Sequence, residues 1–283
     1  MVSVQLGAAL SRPLFATLGP AGTAWLRLTW AALAFLLLAR PRPRRRPPGD
    51  VGAALALGLA SAGMTVFFFE AIARIPLGVA TTVEFLGPLA VAVTASRHPR
   101  GLGWVGCAAV GVVLIGGTGA DLNPGGLGCA ALAALCWASY IVLTKRVGAR
   151  FNGVEGLAIS LAVAAVVIAP IGLPQAVARL SPAALIATAG LALLLPVLPY
   201  VLELRALRRL DTRTFSVLMS LEPAVSALIG LVVLAQALSA PQAAGIALVV
   251  IASVGVSVLN RPAPSRPGGT EQASTAPVPD AYS

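Results

Sequence analysis

Two carboxylates lie where a lipid bilayer is expected. Glu84 falls in a stretch, 77–95, whose only other clearly polar side chains are Thr81, Thr82 and Thr94, and Glu222 falls in a second apolar stretch, 214–235. Runs of this length suit a membrane-spanning helix, where an ionisable group is costly enough to suggest function. Such an acid can alternate between a charged form that pairs with a substrate ammonium and a neutral form that releases it. The bland alternative is a structural hydrogen bond to a neighbouring helix. Each acid is followed by a proline: Pro88 four residues after Glu84, and Pro223 directly after Glu222. Pro88 and Pro223 remove backbone hydrogen bonds and could free carbonyls for a polar substrate, or merely kink their helices.

The two stretches are copies. A shift of 135 residues lays Ala71, Ile72, Arg74, Ile75, Leu86 and Pro88 on Ala206, Leu207, Arg209, Leu210, Leu221 and Pro223. It also lays Glu84 on Met219, so Glu222 is one helical step of three residues further on. The two acids are therefore expected on nearby faces of repeat-related helices, looking into one central cavity.

The elements that must carry these acids follow from composition. Hydrophobic residues make up 58% of the 283 and charged residues only 11%, with a mean hydropathy of +0.89. An ordinary soluble domain needs about a quarter charged residues, so this is an integral membrane protein. The apolar runs are too long and too unalternating for barrel strands. The fold class expected is all-α, with apolar segments at 1–18, 22–39, 51–73, 77–95, 101–119, 125–144, 153–173, 183–204, 214–235 and 241–259. The first is short and broken by Gln5, Ser11, Arg12 and Pro13. Gly106, Gly111 and Gly116 should allow close backbone approach in the fifth. Loops are expected over 145–150 and 174–182, and a Pro-, Ser-, Thr- and Gly-rich tail begins at Arg261.

Charge fixes the expected orientation. Sixteen of the twenty basic residues lie at 40–46, 97–100, 145–150, 205–213 and 261–266, which become cytoplasmic together if alternate loops share one side. This puts both termini in the cytoplasm. Five spans per half, an odd number, turn the second half over relative to the first. The expected architecture is thus ten transmembrane helices in two inverted five-helix repeats, 1–124 and 125–260, followed by a cytoplasmic tail, 261–283. The net charge of +10 is topogenic and implies no nucleic acid.

The stretches PLGVATTVEFLGPLAVAVTASRHP (76–99), GCAALAALCWASYI (128–141) and LPYVLELRALRRLDTRTFSVLMSLEPA (198–224) resemble the EamA-type subgroup of the drug/metabolite transporter superfamily. Weaker similarity runs from about residue 4 to 259. The resemblance implies efflux, without ATP, of small neutral amino acids of the threonine and homoserine kind or of related metabolites. It also places Gln5 and Arg12 on polar positions of the family's first helix. The chain opens at a point matching the middle of that helix, so a truncated first helix is expected. Glu70 stands where the family is neutral.

Trp137 and Tyr140, three residues apart, could line a cavity or mark the interface belt. Tyr200 joins them as a binding candidate, whereas Glu203 and Glu70 read more simply as groups near the membrane surface. His98 stands alone in a basic loop, and Cys107, Cys129 and Cys136 have no CxxC or histidine companion. No metal, cofactor or enzyme chemistry is therefore expected. The function expected is a secondary exporter in the cell membrane, exchanging substrate for protons by alternating access. Another small metabolite or drug as cargo, an accessory membrane subunit, uptake in place of export, and a homodimer are left open.

Overall fold

The computed structural model describes residues 1–39, 47–96, 100–117, 123–151, 154–199, 202 and 217–259. The described residues are helical, with no strand among them. Helix α1 (Val2–Ser11) passes through a 3-10 turn (Arg12–Leu14) into α2 (Phe15–Leu18), which ends at Gly19 with a φ of 70°. There follow α3 (Pro20–Ala39), α4 (Pro48–Arg74), α5 (Leu77–Glu84), α6 (Leu86–Ser96) and α7 (Arg100–Gly117). The second half holds α8 (Pro124–Gly148), α9 (Glu155–Val177), α10 (Pro182–Ala192), α11 (Glu222–Leu234) and α12 (Ala240–Leu259).

Seven described segments are long and apolar enough to cross a membrane: α3, 49–74, 77–94, α8, α9, 217–234 and α12. Shorter apolar helices cover Gly103–Ile115 and Pro182–Leu195. Large aliphatic side chains stand on the outer surface, among them Leu37 at 76%, Ile186 at 74% and Val232 at 74% exposure. In water such a surface would aggregate; in hydrocarbon it is the solvated one. Polar side chains point the other way, as Gln5, Arg27, Thr81, Glu84 and Glu222 are all buried.

Helix starts follow local chemistry. Asn123 accepts the Gly126 N–H ahead of Pro124, and Ser181 accepts the Ala184 N–H ahead of Pro182, so each pairs a capping side chain with a proline that has no N–H to lose. Two expected loops are partly helical. Helix α9 runs through Pro170 and Pro174 to Val177, and α8 continues to Gly148. Proline is tolerated within membrane helices where neighbouring helices, side chains or local adjustments of the backbone re-satisfy the freed groups. Helix α10 widens into a π-helical stretch, Leu193–Val197, around Pro196, which accommodates the proline without ending the helix. The stretch 77–95 is not one continuous helix but two, parted by a turn at Phe85.

Helices from the two halves pack chiefly on one another: α3 along α9, α4 along α8 and α9, α7 along α12, and α5 on α11 and α8. Small residues set the closest approaches. A Cβ on Gly78 would stand 2.8 Å from the Ala227 Cα where α5 crosses α11, and one on Gly87 would run into the Ala134 carbonyl where α6 meets α8. Gly111 fulfils the expected role in α7, against Gly245 of α12, but Gly106 has open space and mediates no contact. The Leu77 N–H donates to the Gln236 side-chain oxygen at 2.9 Å, so the start of α5 is fastened to the residue just beyond the left-handed Ala235 that ends α11.

These contacts predict opposite outcomes for one substitution at two sites. Gly78→Ala should destabilise the purified protein by about 1–3 kcal/mol through overpacking, read as a lower melting temperature in detergent. Gly106→Ala should leave the melting temperature unchanged or raise it, since the methyl meets nothing and alanine favours the helix.

Candidate functional site: two acids at two helix breaks

Glu84 is the last residue of α5 and Glu222 the first of α11, so each acid sits at an interruption of its transmembrane segment. The turn at Phe85 and the turn at Ser220 and Leu221 match under the 135-residue shift. Proline explains both. Pro88 has no N–H for the Glu84 carbonyl four residues back, and Pro223 none for that of Met219, so each helix loses a bond at the point where it parts. Glu84 is 7% and Glu222 5% exposed.

Gln5 of α1 joins the two breaks. Its Nε2 donates to Glu222 Oε1 at 3.0 Å, and its Oε1 accepts from the Thr81 hydroxyl at 3.4 Å. Thr81 lies three residues before Glu84 and shares its helical face. The two carboxylates are close enough to interact electrostatically. Like charges in one dry site repel, and a proton or a cationic ligand relieves that repulsion. The chemistry available here is reversible capture of a proton or an ammonium.

The other candidates distribute unevenly. Trp137 of α8 meets the Phe85 ring edge-on, with centroids 5.8 Å apart, and so covers the first break. Tyr140 instead packs with Ala54, Leu57, Val147 and Phe151 in a separate cluster and is not brought to the acids. Pro88 and Pro223 adjoin the breaks. Tyr200 and Glu203 lie outside the described residues. Arg12 is half-buried in the 3-10 turn after α1, and Glu70 pairs with Arg74 one turn on, at 2.6 Å, as a group near a membrane face would. Among the described residues no cluster of three or more His, Cys, Asp or Glu could hold a metal.

Sequence reasoning missed two contributors. Thr81 was signalled only by its spacing from Glu84. Ser220, at the second break, accepts from the Ser253 hydroxyl at 2.9 Å and lies 3.4 Å from that of Ser257; serine in an apolar helix gives little warning of such a cluster. An apolar groove between α7 and α12, lined by Gly103, Trp104, Cys107, Val250, Ile251 and Gly255, contains none of the acid-site residues.

Comparison with known proteins gives a consistent picture. The chain is 37% identical over 268 residues to the threonine/homoserine exporter RhtA of Salmonella typhimurium strain LT2, covering 93% of this chain and 90% of that protein. It is 37% identical over 265 residues to the RhtA of Escherichia coli K12, covering 92% and 90%. One solved crystal structure shares the fold, with a TM-score of 0.56 at 21% identity, over 91% of this chain and 94% of the other. The EamA-like transporter family matches residues 124–258. With these matches the chain belongs to the EamA-like transporter family, and it is a membrane transporter rather than an enzyme.

Proposed function

We propose that this protein is a secondary exporter of small neutral amino acids of the threonine and homoserine kind, working in the inner membrane by exchange for protons. The observation that carries the reading is the joining of two helix-break acids, Glu84 and Glu222, through Gln5 and Thr81. The identity with exporters named for threonine and homoserine supplies the substrate class.

The architecture proposed is ten spans in two inverted repeats, 1–124 and 125–260, with the tail 261–283 and both termini in the cytoplasm. The matched breaks at Phe85 and Ser220 favour it. So does the pairing of α3 with α9 and of α7 with α12, each joining like elements of the two halves. A pseudo-two-fold axis in the membrane plane produces such self-pairs, and it passes near the breaks. Transport then consists of two related half-bundles rocking about a shared site.

In this cycle a charged carboxylate, facing the cytoplasm, takes the ammonium of the substrate. The bundle turns outward, a proton arriving from outside neutralises the acid, and the substrate leaves. Each ligand shifts the equilibrium only through its different affinity for the two states. Gln5 offers one donor to whichever carboxylate is charged. Trp137 keeps the first break dry from the α8 side.

Three outcomes are expected. Cells overproducing the protein should hold less threonine and homoserine and tolerate more of both in the medium; unchanged export of these and of related small neutral amino acids would remove the substrate class. In liposomes, an inward proton gradient should accelerate threonine exchange, and Glu84→Gln or Glu222→Gln should abolish that acceleration in protein that still inserts and folds. Normal rate and pH dependence in both variants would make the acids structural. Reporter fusions should place position 46 in the cytoplasm and position 121 outside, and the reverse pattern would sink the topology.

A further inference from the structure

Arg27 is a guanidinium inside the bundle, 7% exposed, with no carboxylate in ion-pair reach among the described residues. Its Nη2 donates to the Thr65 hydroxyl at 3.2 Å, and its Cζ lies 5.2 Å from the centroid of the Phe69 ring. These contacts leave the buried Nε–H without an acceptor, and the buried indole N–H of Trp30 is in the same condition. Arg27 and Trp30 are three residues apart on α3 and therefore share a face. Thr65 accepts from Arg27 and keeps its own hydroxyl proton to give. Buried donors normally find partners, because leaving one unmet costs its full desolvation. Here a full positive charge carries an unmet N–H, a second unmet N–H lies within one turn of it on α3, and a small anion with two acceptor oxygens is the ligand that a guanidinium fork suits.

Its position suits a zwitterion. Arg27 is the eighth residue of α3 and Glu84 the eighth of α5. With α4 crossing the membrane between them, both helices start from the same face, so both residues lie about 12 Å along their helices from it. Phe69, on which Arg27 rests, belongs to the apolar cluster that also contains Val79, Ala80 and Val83 beside Glu84. An acid and a guanidinium thus lie at a similar depth, and both adjoin one apolar cluster. We propose that Arg27, assisted by Trp30 and Thr65, is the subsite for the carboxylate of the transported amino acid. This rests on the reading of the cargo as a small amino acid.

The test uses the full chain in liposomes, with L-threonine compared against threoninol, which keeps the ammonium and side chain but lacks the carboxylate. Threonine should outcompete threoninol for transport by about tenfold or more in the wild type, and Arg27→Gln should raise the KM for threonine by a similar factor while barely changing inhibition by threoninol. Trp30→Phe, which removes only the indole N–H, should shift threonine affinity in the same direction by less. Equal potency of the two compounds in the wild type overturns the proposal, and that comparison needs no variant to fold. So does a wild-type KM in Arg27→Gln. If the wild type moves no amino acid, the substrate reading fails by itself, and thermal stabilisation of the purified protein by propionate against propionamide decides the subsite. A propionate-specific shift that Arg27→Gln removes supports it, and equal shifts overturn it.

Discussion

A charged or hydrogen-bonding group in hydrocarbon must find its partners within the protein, and the arrangement of this molecule follows from that demand. Two transmembrane segments are interrupted where prolines remove backbone bonds, and both interruptions carry acids. Neither could face lipid. The breaks are therefore turned inward and toward each other, and α1 and α8 close over them through Gln5 and Trp137. The outer surface is left to leucine, isoleucine and valine, which need nothing from their solvent.

Small residues make this enclosure compact. Interhelical hydrogen bonds in a bilayer are worth little individually, about 0.6 kcal/mol, so close backbone packing must do most of the joining. Gly78 against Ala227 brings α5 onto α11, and Gly87 beside the Ala134 carbonyl brings α6 onto α8. These two crossings flank the first break on its two sides. Glycine is present there because a side chain would hold the helices apart and let lipid or water reach the carboxylate.

The helical class, the two acids and their prolines were legible in the sequence because an ionisable residue in a long apolar run has few explanations. The 135-residue echo aligned Pro88 with Pro223, although the sequence left open whether either proline breaks its helix or merely kinks it. Three things were not legible. Pro174 and the segment after Thr144 looked like loop residues, because helix signals learned from water overstate what proline and lysine do at the end of a span. Tyr140 shares a sequence block with Trp137 but lies nearer the end of α8, where it packs with Ala54, Leu57, Val147 and Phe151, and the sequence does not say which neighbours that end of the helix meets. Arg27 was not legible as a site, since the sequence does not say that its neighbours are Thr65 and Phe69 rather than a carboxylate.

The tie between Leu77 and Gln236 bears on leakage. Under the proposed exchange for protons, the driving gradient would be wasted whenever both mouths gaped together, because even a brief slackness passes protons far faster than cargo. At this membrane face the start of α5 is fastened to the end of α11, and a few residues inward Gly78 leaves no room between the same two helices. Opening there requires parting an amide contact and a backbone-tight crossing in one movement. Such a closure yields as a unit or stays shut, so partial gaping is penalised and the cost of insulation is borne by the slowness of opening.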